Sequence, residues 1–343
     1  MAKTANLSSR QVEIGVFAYE GCSAWITAGV LELFAIANTA IGSVSTQVGT
    51  PPGFRFHAIA RTSRSVRGSH GVRFSVDRPR RRYDAIIVPP LWGDSRREVL
   101  GRLGRLGREC QMLQQLACCA SIMAGTCTGT TLLAKASLLD GHRATTCWWM
   151  IDWFRREFPN VILTGDKLVV SDGARWTAGA GAAYLHLGLG LVGHFCGERV
   201  LAATARLMLI ERRRGSQSPF IEAGLAGRDI ADAKVARMAR FLERNAGNAL
   251  TIGEVCRDMN LSVRSMTRRF HASLGVSPLS YLQSLRITRA KRLLEQTAVS
   301  FEQVVADCGY EDVSSFRKLF SRQVGMTPRE FRARFGTAPG RSS

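Results

Sequence analysis

Two stretches near the C-terminal end place guanidinium, ammonium and hydroxyl groups along one side of a helical period. In LTIGEVCRDMNLSVRSMTRRFHASLG, Met266 and Phe270 are spaced i,i+4, and Arg264, Thr267, Arg268 and His271 fall opposite them. In VSFEQVVADCGYEDVSSFRKLFSRQVG, Phe316 and Phe320 turn inward, leaving Ser314, Arg317, Lys318 and Ser321 outward. Arginine pairs bidentately with the guanine edge, lysine and hydroxyls contact bases or phosphates, and a helix fits the major groove of DNA. Each stretch opens with a short helix after an N-capping Thr251 or Ser300 and then turns at Asn260 or Gly309, residues that tolerate a left-handed backbone. One such unit reads equally well as a solvated basic helix. Two of them, joined by a single helix from about Pro278 to Leu294, present both faces at a fixed separation, as successive major-groove contacts require.

A different chemistry is offered by AGTCTGTTLLA. Cys127 follows a predicted strand and precedes a predicted helix, with the small residues Gly125, Thr126, Thr128 and Gly129 around it, as a sharp nucleophile-elbow turn needs. Such a turn projects the thiol into a pocket, and the helix N-terminus lowers its pKa. The plainer reading is a buried thiol. Nothing points to a metal or another cofactor: no CxxC pairs with another at zinc-finger spacing, and His70, His142, His186 and His194 are dispersed.

The elements that must hold these groups follow from hydrophobic periodicity. QVEIGVFAY, FRFHAIA, YDAIIVPP and ASIMAGTC read as strands, with helices between them at Trp25–Ala37 and Ser95–Leu116. A helix at Thr130–Ala136, another to about Phe158, a hairpin in VILTGDKLVVSDGARWTAG and an apolar helix ending near Phe195 follow. This alternation predicts an α/β domain with a parallel sheet over about residues 10–212. In ERRRGSQSPFIEAGLAGRD charge, Gly, Ser and Pro replace the periodicity, so residues 213–229 read as a linker. Residues 230–336 read as all-α, and 337–343 as a tail.

Composition frames these readings. The chain has 343 residues, 45% of them hydrophobic and 22% charged, enough for two cores. Its 47 Lys+Arg against 27 Asp+Glu give +20, which favours a polyanionic partner. Residues 211–343 carry only half of that excess, so charge does not locate the contact; the arginines between Arg61 and Arg108, including Arg80, Arg81 and Arg82, read mostly as a solvated face. Nine irregularly spaced cysteines and no N-terminal apolar run argue for a reducing cytoplasm. The uncharged stretches 111–134 and 176–197 are too interrupted by polar residues to read as membrane spans.

The C-terminal stretch resembles the DNA-binding domain of AraC/XylS-type regulators. GVSPLSYLQSLRITRAKRLL matches the linker helix of that family and VADCGYEDVSSFRKLFSRQVGMTPREFR its signature, over about Ala233 to Phe335. The resemblance implies groove-facing roles for Arg264, Thr267, Arg268, Ser314, Arg317 and Lys318, with Val313 standing where relatives often carry a polar residue. From about Val12 to Leu209 the chain resembles the PfpI-type, class I glutamine amidotransferase-like domain of the GlxA-like subfamily, through VLELFAIAN, the elbow at Cys127 and SLLDGHRATTCWW. That implies a flavodoxin-like sheet. Hydrolytic relatives need a histidine and an acid beside the thiol; the matching positions here are Cys147 and Ile26, and a further acidic position of related regulators falls on His186, so the expectation is a binding site and not an enzyme. Cys127, Thr128, Cys147, Trp148 and Thr177 are its candidate wall residues. The family further implies promoter DNA, a small-molecule effector and RNA polymerase as partners, a homodimer, no membrane, and activation as the habitual output. Three rivals stand beside this reading: a Cys127-dependent amidohydrolase or isomerase, a redox sensor in which Cys127 and Cys147 react, and an architectural nucleic-acid binder without a ligand.

Overall fold

The computed structural model describes residues 11–44, 51–61, 64–212, 215–222, 230 and 232–337. The chain divides into two compact units, residues 1–151 with 158–215, and residues 152–157 with 216–343.

Up to Leu207 the chain runs β1 (Val12–Phe17), α1 (Ala24–Val44), β2 (Phe54–Ile59), β3 (Arg64–Arg67), β4 (Arg73–Val76), β5 (Tyr83–Val88), α2 (Arg96–Leu103), α3 (Gly107–Ala117), β6 (Ala120–Thr126), α4 (Gly129–Lys135), β7 (Arg143–Ala144), α5 (Ile151–Glu157), β8 (Ile162–Leu163), β9 (Val169–Asp172), β10 (Arg175–Ala178) and α6 (Ala183–Leu207), all of it first unit except α5 beyond Ile151, which belongs to the second. Six strands form one sheet in the order β2-β1-β5-β6-β10-β9, parallel except for the β9–β10 hairpin. This is a flavodoxin-like α/β domain. All six residues of β5 are buried, as expected of a strand covered on both faces; Ala85–Val88 form an apolar run, and the buried Asp84 accepts from the Glu13 N–H at 2.9 Å. Val12, Ile14, Val16, Ala85, Ile87, Ile122 and Ala124 face a core shared with α1 and α6. The alternate positions face α4, whose Thr130 Cα would lie 2.9 Å from a Cβ at Gly125. Among the described residues α1 is the one helix long and apolar enough to cross a membrane; here its Leu33, Phe34 and Ala37 are fully buried in that core.

Two sequence expectations need correction, and one ribbon was not foreseen. The helix read over Ser95–Leu116 is two helices. Gly101, Gly104 and Gly107 weaken its middle, and the N–H groups of Arg105 and Leu106 bond back three residues, to Arg102 (3.0 Å) and Leu103 (3.2 Å). The helix expected to end near Phe195 breaks at Gly197 (φ +82°) and then resumes to Leu207. Part of the arginine-rich stretch forms an antiparallel ribbon, β3 with β4, in which Val66 is buried while Arg64, Arg67 and Arg73 are exposed.

The second unit is helical: α7 (Ala233–Asn245), α8 (Ile252–Asp258), α9 (Val263–Leu274), α10 (Pro278–Gln296), α11 (Phe301–Asp307), α12 (Val313–Val324) and α13 (Pro328–Phe335). It holds two cores. Met238, Leu242, Met266, Phe270 and Leu282 belong to the first, and Leu294, Val304, Phe316, Phe320 and Phe331 to the second. The shared plan of the two stretches extends to their ends. Gly275 and Gly325 close α9 and α12 in the left-handed conformation, and Ser277-Pro278 and Thr327-Pro328 open the helices that follow.

Within the expected linker, residues 213–214 and 223–229 lie outside the described residues, and residues 216–222 pack onto the second unit. Lys291 of α10, 4% exposed, donates from Nζ to the carbonyls of Pro219 (2.9 Å) and Ile221. Phe220 meets Phe335 edge-on with ring centroids 5.4 Å apart, and Glu222 pairs with Arg292 at 3.0 Å. Of the expected tail only Thr337 is described, and its N–H and hydroxyl bond the Glu295 carbonyl.

Candidate nucleic-acid interface and elbow site

Each reading helix is fixed before it meets a ligand. Ser262 caps α9 through the Ser265 N–H (3.2 Å), and Asp312 caps α12 through the Ser314 N–H (2.9 Å). Thr251 and Glu254 form a capping box that starts α8, and Asn260 takes φ +54° in the turn that follows. Met266, Phe270, Phe316 and Phe320 are fully buried, so the opposite faces are held outward. Arg264, Arg268, Ser314, Arg317 and Lys318 are exposed and Thr267 is half-buried. Val313 is half-buried against the second core, so its apolar side chain serves packing.

The structure adds neighbours that pattern alone did not supply. Arg317 lies over the Phe301 ring at 5.2 Å. Lys318 lines a shallow cavity with Gln283, Tyr310, Ser315 and Arg322. Arg322 is exposed, one helical turn beyond Lys318, and that i,i+4 spacing was the available signal for it. Arg269 points elsewhere, to Asp232 at 2.7 Å, the residue that caps α7.

In the first unit, Cys127 sits at a strand-to-helix turn with φ +53°, a conformation costly for a residue with a Cβ. Its neighbours hold it there. The Cys127 N–H donates to Ala178 O (2.9 Å), the Thr146 hydroxyl to Cys127 O (3.1 Å) and the Thr128 hydroxyl to Leu91 O (2.9 Å). A Cβ at Gly129 would meet Val88 O at 2.3 Å, so only glycine fits beside the turn.

A hydrogen bond from Cys147 holds the Cys127 thiol below its ordinary pKa against the opposing effect of burial, helped by the backbone N–H groups of Thr128 and Gly181. Burial and this same bond push Cys147 well up. The structure therefore joins Cys127, Thr128 and Cys147. Thr177, fully buried, lies on β10 in register with Gly125 and accepts from the Thr145 N–H at 2.8 Å, and Trp148 is half-buried just after Cys147. Ile26 is in the core, and His186 bonds Glu211 O at 3.1 Å. Tyr19, whose raised pKa reflects burial first and then the nearby thiols including Cys127, and the Gly181 N–H were not found from sequence. Neither stands at a recognisable spacing from Cys127.

Comparison with known proteins bears on both units. Residues 255–334 match the family described as a helix-turn-helix domain, and residues 30–192 match the DJ-1/PfpI family. The HTH-type transcriptional regulator ArgR of Pseudomonas aeruginosa is 32% identical over 222 residues, which cover 64% of this chain and 67% of that protein. The chain belongs to the AraC family of transcriptional regulators. The HTH-type transcriptional regulator GbdR of the same species aligns with this AraC-family chain at 27% identity over 280 residues, 81% of this chain and 75% of GbdR. Drosophila melanogaster DJ-1beta superimposes with a TM-score of 0.47 at 16% identity, covering 59% of this AraC-family chain and all of that one. The regulator thus joins a DJ-1/PfpI-type unit to a DNA-binding helix-turn-helix unit.

Proposed function

We propose that this AraC-family regulator reads promoter DNA with α9 and α12 in successive major grooves, as a cytoplasmic homodimer that activates transcription through RNA polymerase when a small metabolite occupies the elbow of the first unit. The observation that carries the DNA reading is the pair of capped helices in which Met266, Phe270, Phe316 and Phe320 are fully buried while Arg264, Arg268, Arg317 and Lys318 are exposed. Arg264, Thr267, Arg268, Ser314, Arg317 and Lys318 make the contacts. At the elbow Cys127 and Trp148 meet the ligand, with Thr128, Cys147 and Thr177 behind them. Hydrolysis is disfavoured, because the groups that bond the Cys127 sulfur are a thiol and two N–H groups, and none of these is a general base at neutral pH. Footprinting on DNA upstream of neighbouring genes tests the reading. Wild type protects a discrete site, and Arg268→Ala weakens it by about 1–3 kcal/mol while relaxing base preference. Salt-sensitive, sequence-blind binding by wild type would overturn it.

A second reading is favoured by the Cys127–Cys147 hydrogen bond: the two thiols form an oxidant-sensitive pair. Comparing DNA binding by wild type and Cys127→Ser under peroxide and under reductant separates the two readings. Only the thiol sensor loses its response in the variant.

A further inference from the structure

Helix α10 changes cores within three residues. Leu285 packs in the first core and Ile287 in the second, and between them Arg286 is only 6% exposed. Its guanidinium reaches into the first half, where Nε donates to Ala246 O (3.1 Å) and Nη2 to Asn248 O (2.8 Å). The same group lies over the Tyr310 ring of the second half, 4.9 Å from its centroid. One turn later Arg289 Nε donates to Asp307 O at 2.9 Å.

The two halves also meet backbone to backbone. Gly309, in the turn between α11 and α12, has φ +68°, and a Cβ there would stand 2.4 Å from Asn248 O. The loop that leads into α8 and the turn that leads into α12 are thus pressed together, with one planar cation bonded to the first and stacked on the second. A lysine cannot reproduce this. Its ammonium is a point charge without a face to stack, whereas guanidinium donates in its plane while stacking through it.

We infer that Arg286, supported by Arg289 and the Gly309–Asn248 contact, is a positioning residue that fixes α9 relative to α12 and so determines which spacing between two DNA elements the regulator accepts. The inference rests on the two-reader function proposed above. One inserted base pair moves an element by about 3.4 Å and turns it by roughly a tenth of a revolution, so a rigid pair of readers rejects it and a loosened pair tolerates it.

The test uses full-length protein on a footprinted site, on the same site with one base pair added or removed between its two elements, and on DNA retaining one element. Wild type is expected to bind the altered spacings at least about fivefold more weakly, the size of a coupling between sites in contact. Arg286→Lys should lose affinity for the native spacing, keep its affinity for the single element within about twofold, and show a smaller spacing penalty. Should Arg286→Lys fail to fold, as judged by circular dichroism, Tyr310→Leu removes the stacked ring and carries the same expectation. A variant that folds and keeps the wild-type spacing penalty overturns the inference. A wild type indifferent to the second element overturns the two-reader reading itself, and the inference with it.

Discussion

Arg317 offers a measurement in which two terms can be separated. Its guanidinium sits 5.2 Å from the Phe301 ring centroid in the free protein, so the side chain is partly ordered before DNA arrives. Truncation by Arg317→Ala removes the base contact and should cost about 1–3 kcal/mol, roughly 5- to 150-fold in Kd, with preference relaxed at one position. Phe301→Leu leaves the guanidinium in place and keeps an apolar side chain next to Phe316, but removes the face on which the cation rests. An exposed cation–π contact is worth about 0.5–1 kcal/mol, so this change should weaken DNA binding about 2- to 5-fold. The loss arises from the freedom that Arg317 must then surrender on binding. In the double variant Phe301→Leu should cost almost nothing further, because the residue it orders is gone. Fluorescence anisotropy at fixed salt, on the selected site and on single-position variants of it, reads all four corners of the cycle. Additive losses would refute the pre-ordering argument. A loss uniform across sequences, with the salt slope reduced by about one, would make Arg317 a phosphate contact instead of a base reader.

Two further outcomes follow from the buried ionisable groups. Cys147→Ala removes the hydrogen bond that favours the Cys127 thiolate, so the Cys127 titration should move to higher pH. Thiolate absorbance, taken as a difference against Cys127→Ser, checks this, and an unchanged midpoint would count against the pair. Burial lowers the Lys291 pKa to about 8, below its ordinary value of about 10.4, so the packed state of residues 216–222 binds fewer protons between those limits. Stability from this packing is therefore fully present above the ordinary value and declines as pH falls toward 8. The denaturant midpoint of wild type relative to Lys291→Met should rise between pH 8 and 10, and a flat difference would contradict the burial argument.

Much of this architecture is legible in the chain because its elements obey local rules. β1, β5 and β6 are mostly apolar stretches bounded by turn residues, and Cys127 is framed by small residues of the kind a tight turn requires. The reading helices are legible through Met266, Phe270, Phe316 and Phe320, whose spacing separates a core side from a free side. What sequence did not supply depends on partners distant in the chain. The β3–β4 ribbon was hidden because its arginines are exposed and only Val66 and Val76 are buried in it. The packed part of the connector depends on Lys291, 72 residues beyond Pro219, and a lysine on a helix ordinarily reads as solvated. Arg286 was hidden for the same reason, since its hydrogen-bond partners are carbonyl groups, which no side-chain pattern reports, and the ring it lies over is 24 residues away.

The division of the second unit into two cores has a consequence for how this chain acquires its structure. The first core draws on residues 235–285 and the second on residues 287–331, so each closes with contacts that are mostly local in sequence. Local contacts require little loop-closure entropy, and units built from them fold fast and open separately. A nascent chain that has emerged through Leu285 already contains every residue of the first core, and Phe270 can be buried before Phe316 has been synthesised. Hydrogen exchange should accordingly show two cooperative blocks meeting within α10, with the amides around Arg286 protected only when both are closed.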